Sequence, residues 1–168
     1  MINVIISGAP GCGKGTQSAL IIEKFQLKHF STGELLRKEI AEKTELGLEA
    51  DKYISKGNLV PDEMIIGVLT KAIKQLNGNC PGIIFDGFPR TVKQAEELET
   101  LMNELQKPTT LLIDLQVPNR ELINRLLTRG ETSGRSDDNL ETIKKRLDVY
   151  EAKTAPVNDF YRQLNKYA

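Results

Sequence analysis

Gly8-Ala-Pro-Gly-Cys-Gly-Lys-Gly-Thr16 interleaves glycines with one lysine and one threonine, between an apolar run at 2–7 and an amphipathic stretch at 14–25. Glycines let successive backbone N–H groups turn inward around a polyphosphate. A helix N-terminus behind such a loop adds partial positive charge, and Lys14 is placed to reach the terminal phosphates. The generic phosphate loop has Ser or Thr directly after the lysine, whereas here Gly15 precedes Thr16. Cys12 sits beside a lysine and a helix start, a setting that lowers a thiol pKa. We read it as a small side chain that the loop accommodates.

A second cluster begins at Asp86, which ends the apolar run 82–86. An acid at that point suits the orientation of magnesium, through its bound waters, near phosphates. Gly87-Phe-Pro-Arg90 follows at once and presents an arginine beside the acid. A guanidinium fork matches phosphate oxygens, so a phosphate ligand would balance Arg90 and Lys14 together. Of eight arginines, six fall in motif-like settings: Arg37, Arg90, Arg125, Arg129, Arg135 and Arg146. Arg125 and Arg129 are four apart and share one helix face. A phosphate loop joined to this set points to two phosphate groups being bridged.

The elements that must position these residues alternate. The apolar runs 2–7, 82–86 and 109–115 read as buried strands, with 28–31 as a weaker one. Helical spacing covers 14–25, 33–42, 46–56, 61–76, 91–106 and 118–129, then a long stretch from 138 into the 160s. Pro61 and Pro118 stand where a first turn accepts proline, and Asp137 or Asp138 could cap the last helix. Strand–helix alternation predicts an α/β fold with a parallel sheet. Two insertions interrupt it: the helical stretch 31–60 and the polar, glycine-containing loop 130–135. Both are expected to act as flaps over a site at the strand ends.

Composition narrows the field further. The 168 residues carry 23 basic and 23 acidic side chains, a zero net charge that argues against a general nucleic-acid binder. Two cysteines provide neither a disulfide framework nor a four-cysteine zinc site. No apolar run approaches the roughly 20 residues of a membrane span, and the N-terminus lacks a signal-peptide pattern. A cytoplasmic location is expected. His29, the one histidine, reads as structural; the glutamate-rich side of 94–106 reads as solvated. Tyr150, Tyr161 and Tyr167 read as packing for the last helix.

Five motifs in order carry a resemblance. Gly8-Ala-Pro-Gly-Cys-Gly-Lys-Gly-Thr-Gln17, Ser31-Thr-Gly-Glu-Leu-Leu-Arg37, Gly57-Asn-Leu-Val-Pro-Asp62, Phe85-Asp-Gly-Phe-Pro-Arg-Thr91 and Gly134-Arg-Ser-Asp-Asp138 resemble the adenylate kinase family across essentially the whole chain. Gly15 is also the family's usual residue. The resemblance implies a P-loop NTPase fold: a parallel sheet with helices on both faces, a small helical AMP-binding insertion at 31–60 and a short lid at 128–138. The implied reaction is reversible transfer of the ATP γ-phosphoryl group to AMP, giving two ADP.

On that resemblance, Gly11, Cys12, Gly13, Lys14, Gly15 and Thr16 would hold the ATP phosphates, with Arg125 against the ATP adenine and Arg129 on its phosphate. Thr32 and Arg37 would hold AMP, and Asn58, Leu59 and Val60 would line its adenine pocket. Gly87, Phe88, Pro89 and Arg90 would continue the AMP site, with Gln94 on the base. Arg135 and Arg146 would bridge the nucleotides, so that Lys14, Arg90, Arg129, Arg135 and Arg146 form the catalytic set. The implied cofactor is Mg²⁺ with ATP, oriented indirectly by Asp86. The short lid implies no structural zinc, and the family implies a monomer acting on ATP, AMP and ADP, with neither nucleic acid nor membrane as partner.

Members usually continue past a segment like Asn165-Lys-Tyr-Ala168 into a final strand and helix, which the chain is expected to lack. A missing edge strand would leave an unpaired edge and lower stability or ATP affinity. A UMP/CMP kinase shares the loop and short lid; such kinases tend to carry asparagines after the Gly-Phe-Pro-Arg turn, where this chain has Thr91 and Gln94. A nucleotide-binding module without turnover is the other alternative.

Overall fold

The computed structural model describes residues 1–74, 80–133, 135 and 137–168. Positions 75–79, 134 and 136 lie outside the described residues, and with them the end of the helix expected over 61–76 and part of the 128–138 lid and the motif at 134–138.

Strand β1 (Ile2–Gly8) leads through the glycine loop into α1 (Lys14–Phe25), and β2 (Lys28–Ser31) follows. Next come α2 (Thr32–Ala41), α3 (Glu45–Ile54), α4 (Asp62–Lys74), β3 (Gly82–Asp86), α5 (Val92–Glu104) and β4 (Leu111–Leu115). Helices α6 (Asn119–Ser133) and α7 (Leu140–Val149) precede a π-helical turn, Tyr150–Thr154, that runs into α8 (Ala155–Gln163). The expected long last helix is therefore broken by a change of winding just ahead of Pro156.

The sheet is parallel in the order β2-β3-β1-β4. β1 and β3 are buried along almost their whole length, as central strands covered on both faces must be. Ile6 lies opposite Asp86 and Ser31 also lies opposite Asp86, so the loops after β1, β2 and β3 leave one edge of the sheet side by side. That edge is where an open α/β sheet forms its crevice.

Two apolar clusters fix the frame. The larger joins Ile5, Ile84's neighbours Ile83 and Phe85, and the inner faces of α4, α5 and α8, including Leu69, Leu98 and the fully buried Tyr161. The smaller packs Cys12 against Leu122, Leu126, Ile143 and Leu147, so α6 and α7 brace the glycine loop from behind.

Several expectations change at this level. Residues 130–133, expected in a loop, continue α6. A Cβ on Gly130 would come within 2.6 Å of the Asp138 carbonyl oxygen, so the glycine permits a close approach that offsets its poor helix propensity. Asn139, rather than Asp137 or Asp138, caps α7, its side chain accepting from the Thr142 N–H at 3.0 Å. The glutamate side of α5 is not wholly solvated: Glu99 is buried, accepting from the Thr109 hydroxyl and from Lys166 Nζ at 2.6 Å.

The outer edge of β4 is also not bare. Lys166 and Ala168 exchange backbone hydrogen bonds with Leu112 and Asp114 at 2.7–2.9 Å, and Tyr167 bridges in parallel to Leu112. Residues 166–168 thus cover part of the β4 edge expected to be unpaired, through an isolated bridge, and the sheet among the described residues keeps four strands. No helix among the described residues is long and apolar enough to cross a membrane.

Candidate active site

The crevice at the strand ends is one cavity of about 480 Å³. Its floor is the glycine loop. Gly13 takes φ +99° at the cap position of α1 and supplies no side-chain cap, so the first-turn N–H groups of α1 face the cavity without a competing side-chain acceptor. Gly11 (φ +87°) is held to glycine twice over, because a Cβ there would lie 2.9 Å from Leu126 Cγ. Together these groups form a positively polarised cradle suited to phosphate.

Lys14 folds over that cradle, donating to the Gly8 carbonyl at 2.6 Å and the Ala9 carbonyl at 3.1 Å. Burial pushes its ammonium below the usual lysine value; the Cys12 thiol and Asp86 oppose the change and Arg90 adds to it. Cys12 itself packs beneath the loop in the smaller cluster, and its side chain does not line the cavity.

Across from the loop stand the residues after β2 and β3. Thr32 is buried and donates its hydroxyl to the Gly87 carbonyl at 2.8 Å, and Arg90 Nε donates to the same oxygen at 2.7 Å. One carbonyl therefore ties the start of α2 to the Gly87–Arg90 turn, whose Phe88–Pro89 peptide is cis. The Arg90 backbone is held as well, its carbonyl accepting from the Thr154 hydroxyl at 2.9 Å. Burial, then the charges of Arg146 and Arg37, bring the Arg90 pKa down to about 10, which leaves a cation at neutral pH. Phe88 points away into the main core, 1% exposed.

The remaining arginines arrive from α2, α6, α7 and the α6–α7 connection, which carries Arg135. Arg37, Arg125, Arg129, Arg135 and Arg146 all line the cavity, as do Asn58, Leu59 and Val60. Arg125 sits at the exposed rim, paired with Glu121 at 2.8 Å. Arg37 and Arg135 are both lowered from the usual arginine value, by burial first and then by neighbouring guanidinium groups. The cavity is strongly cationic, with Asp86, Asp137 and Glu34 as its acidic lining.

Asp86 is 8% exposed and faces His29, whose Nε2 lies 3.6 Å from Asp86 Oδ2 while Nδ1 lies 3.7 Å from Glu34. The nearby Asp86 carboxylate raises the imidazole pKa above its ordinary value, against burial and with help from Glu34. Among the described residues no group of three or more His, Cys, Asp or Glu side chains is assembled to hold a metal.

Four residues shape the site in ways that their spacing in the sequence does not announce. Asp62 accepts from Gln94 Nε2 at 2.7 Å and from the Thr91 hydroxyl at 3.1 Å. Asp137 and Asp138 bind Arg146, and Asp138 also binds Arg129. Tyr150, read as packing, lines the cavity, and burial raises its pKa to about 12.

Comparison with known proteins agrees with this geometry. The family model for adenylate kinase matches residues 6–166. The adenylate kinase of Phocaeicola vulgatus is 52% identical over 167 residues, covering 99% of this chain and 88% of that protein. That of Parabacteroides distasonis is 55% identical over 161 residues, 96% of this chain and 84% of its own length. That of Porphyromonas gingivalis is 54% identical over 165 residues, with 98% and 84% covered. Such identity, running from the strand before the phosphate cradle to the bridge beside β4, means that the chain belongs to the adenylate kinase family.

Proposed function

We propose that the chain catalyses reversible phosphoryl transfer between ATP and AMP, giving two ADP. The observation that carries this reading is a single cavity with a phosphate cradle on one wall and Thr32, Arg37, Arg90 and Gln94 on the other. A set of arginines lies between them. A nucleotide-binding module without turnover has no use for that second wall.

Phosphoryl transfer leaves little covalent chemistry to the protein, so alignment and charge stabilisation carry the catalysis. The AMP phosphate is already an anionic nucleophile, and no general base is required. In this reading Gly11, Gly13, Gly15 and Thr16, with the backbone of Cys12, hold the ATP phosphates, and Lys14 follows the charge of the transferred group. Arg125 covers the ATP base and Arg129 reaches its phosphates. On the other wall Thr32, Arg37 and the Gly87–Arg90 turn hold AMP, with Asn58, Leu59, Val60 and Gln94 around its base. Arg135 and Arg146, between the walls, bridge both nucleotides.

The residues present also fit magnesium. Mg²⁺ takes one or two protein oxygens and completes its shell with phosphate oxygens and water. The Asp86 carboxylate and the Thr16 hydroxyl belong to the same cavity lining as Lys14. When bound with ATP, the ion neutralises phosphate charge; Asp86 would orient its waters.

The segments 31–60 and 128–138 are proposed as flaps that exclude water while the arginines converge. A close approach supports this: a Cβ on Gly57 would lie 3.0 Å from Thr142 Cγ2 and 3.2 Å from Arg146 Cγ, so the insertion already abuts α7. The reading includes a monomer acting on free nucleotides in the cytoplasm.

A coupled assay for ADP from Mg-ATP, with AMP, CMP and UMP offered in parallel, tests the proposal. Turnover with AMP is expected. Preference for CMP or UMP would reassign the acceptor, and no turnover with any of the three would overturn the enzyme reading.

A further inference from the structure

We infer that Asp62 is a specificity-determining residue for the acceptor nucleotide, because it fixes which end of the Gln94 side-chain amide is offered to the base. The inference rests on the reading above that Gln94 meets the AMP base.

Gln94 is 2% exposed and lines the cavity. Its Oε1 accepts from the Arg90 backbone N–H at 2.7 Å, and its Nε2 donates to Asp62 Oδ1 at 2.7 Å. The second oxygen of Asp62 is held by the Thr91 hydroxyl at 3.1 Å, and the Thr91 oxygen in turn accepts from the Gln94 backbone N–H at 3.1 Å. Asp62 opens α4, while Thr91 and Gln94 open α5, so two helix starts clamp one amide.

An amide is nearly symmetric in shape, and its two ends differ only in hydrogen-bonding sense. Here the sense is fixed from both sides. A carboxylate accepts only, and a backbone N–H donates only. Turning the Gln94 amide over would set Oε1 against Asp62 Oδ1 and the NH₂ group against the Arg90 N–H. Both contacts would become repulsive in a buried site, where unmatched polar groups are most costly.

The fixed amide keeps one N–H and one lone pair for a ligand, a donor beside an acceptor. A 6-aminopurine edge offers the matching pair, the ring N1 acceptor beside the exocyclic amine donor. A 6-oxopurine edge offers the reverse, a carbonyl acceptor beside an N1–H donor. An amide free to turn would serve both; an amide pinned by Asp62 serves the aminopurine. Sites built on such hydrogen bonds reject mismatched partners strongly.

The experiment compares kcat/KM for AMP and for IMP in the wild type, Asp62→Asn and Gln94→Ala. Asp62→Asn preserves shape but can present either an oxygen or an NH₂ group to the Gln94 amide. The AMP-to-IMP ratio is expected to fall by about tenfold in Asp62→Asn, largely through KM, and to fall in Gln94→Ala as well. A ratio unchanged in Gln94→Ala would remove the reading of Gln94 and the inference with it. A ratio that falls in Gln94→Ala but stays at the wild-type value in Asp62→Asn, even with both activities lowered equally, would leave Gln94 as the base reader and overturn the role of Asp62. If Asp62→Asn does not fold, Asp62→Ala gives the same readout: it removes the acceptor opposite Gln94 Nε2 and is expected to lower the ratio. An unchanged ratio there overturns the inference equally.

Discussion

Asp138 grips Arg129 at two points, Nε to Oδ2 at 2.6 Å and Nη2 to Oδ1 at 2.7 Å. The Asp138 side chain is fully buried, and its Oδ1 also accepts from Arg146 at 2.8 Å. One carboxylate thus aligns two cavity arginines that come from different helices. Two-point guanidinium–carboxylate pairing fixes orientation as well as distance.

Asp138→Asn is expected to lower both stability and turnover, because the arginines would then repel each other without a counter-charge. Burial draws the Asp138 carboxyl pKa up, but Arg129 and Arg146 outweigh it and hold it below the usual Asp value. A carboxylate with a depressed folded pKa stabilises fully above its unfolded value, about 4, and loses that contribution as pH falls through the lower folded value. Urea midpoints of wild type and variant should therefore differ by a constant amount from pH 7 to about pH 5 and converge below about pH 4. A gap that stays open in acid would mean that the variant fails for another reason than charge.

How legible this site is in the sequence depends on chain distance. Gly11 through Thr16, and Asp86 through Arg90, are contiguous, and their chemistry follows from backbone geometry and strand ends. The grip of Asp138 on Arg146, of Asp62 on Gln94 and of Lys166 on Glu99 joins residues that no local period relates. Asp137 and Asp138 look like helix caps by spacing; ion pairing takes them, and Asn139 caps instead. The extension of α6 past Gly130 is similar, a tertiary close approach overriding a local helix breaker. Strand order is legible only as parallel alternation, because pairing between β1 and β3 depends on the whole intervening chain.

Arg90→Ala is expected to cost about 100-fold or more in kcat, as removal of a donor aimed at transition-state charge does. The Arg90 guanidinium is oriented by the Gly87 carbonyl and its backbone by Thr154 and Gln94, so the group is held before any ligand meets it. Arg90→Lys should recover little, since an ammonium cannot reproduce the fork. Near-normal kcat for Arg90→Ala in the coupled ADP assay would exclude its catalytic role.

Glu99 and Lys166 offer a test of what holds the last described segment against β4. Neither residue lines the cavity, and the pair is mostly shielded, with side-chain exposures of 11% and 24%. Lys166 Nζ also donates to Thr109 Oγ1 at 3.0 Å, so it joins α5, the approach to β4 and the bridging segment. Lys166→Met leaves a buried carboxylate, which still accepts from the Thr109 hydroxyl, without its counter-charge, at an expected cost of about 2 kcal/mol or more. Replacing both groups, as Glu99→Leu with Lys166→Met, removes the stranded charge, and the double variant should be more stable than Lys166→Met alone. Urea unfolding of the two single variants and the double completes a thermodynamic cycle in which residues in contact are non-additive. Strict additivity would show that the pair does not act as a unit. Turnover at saturating nucleotide should stay within about twofold throughout, because a truncation this far from the reacting groups removes no transition-state interaction.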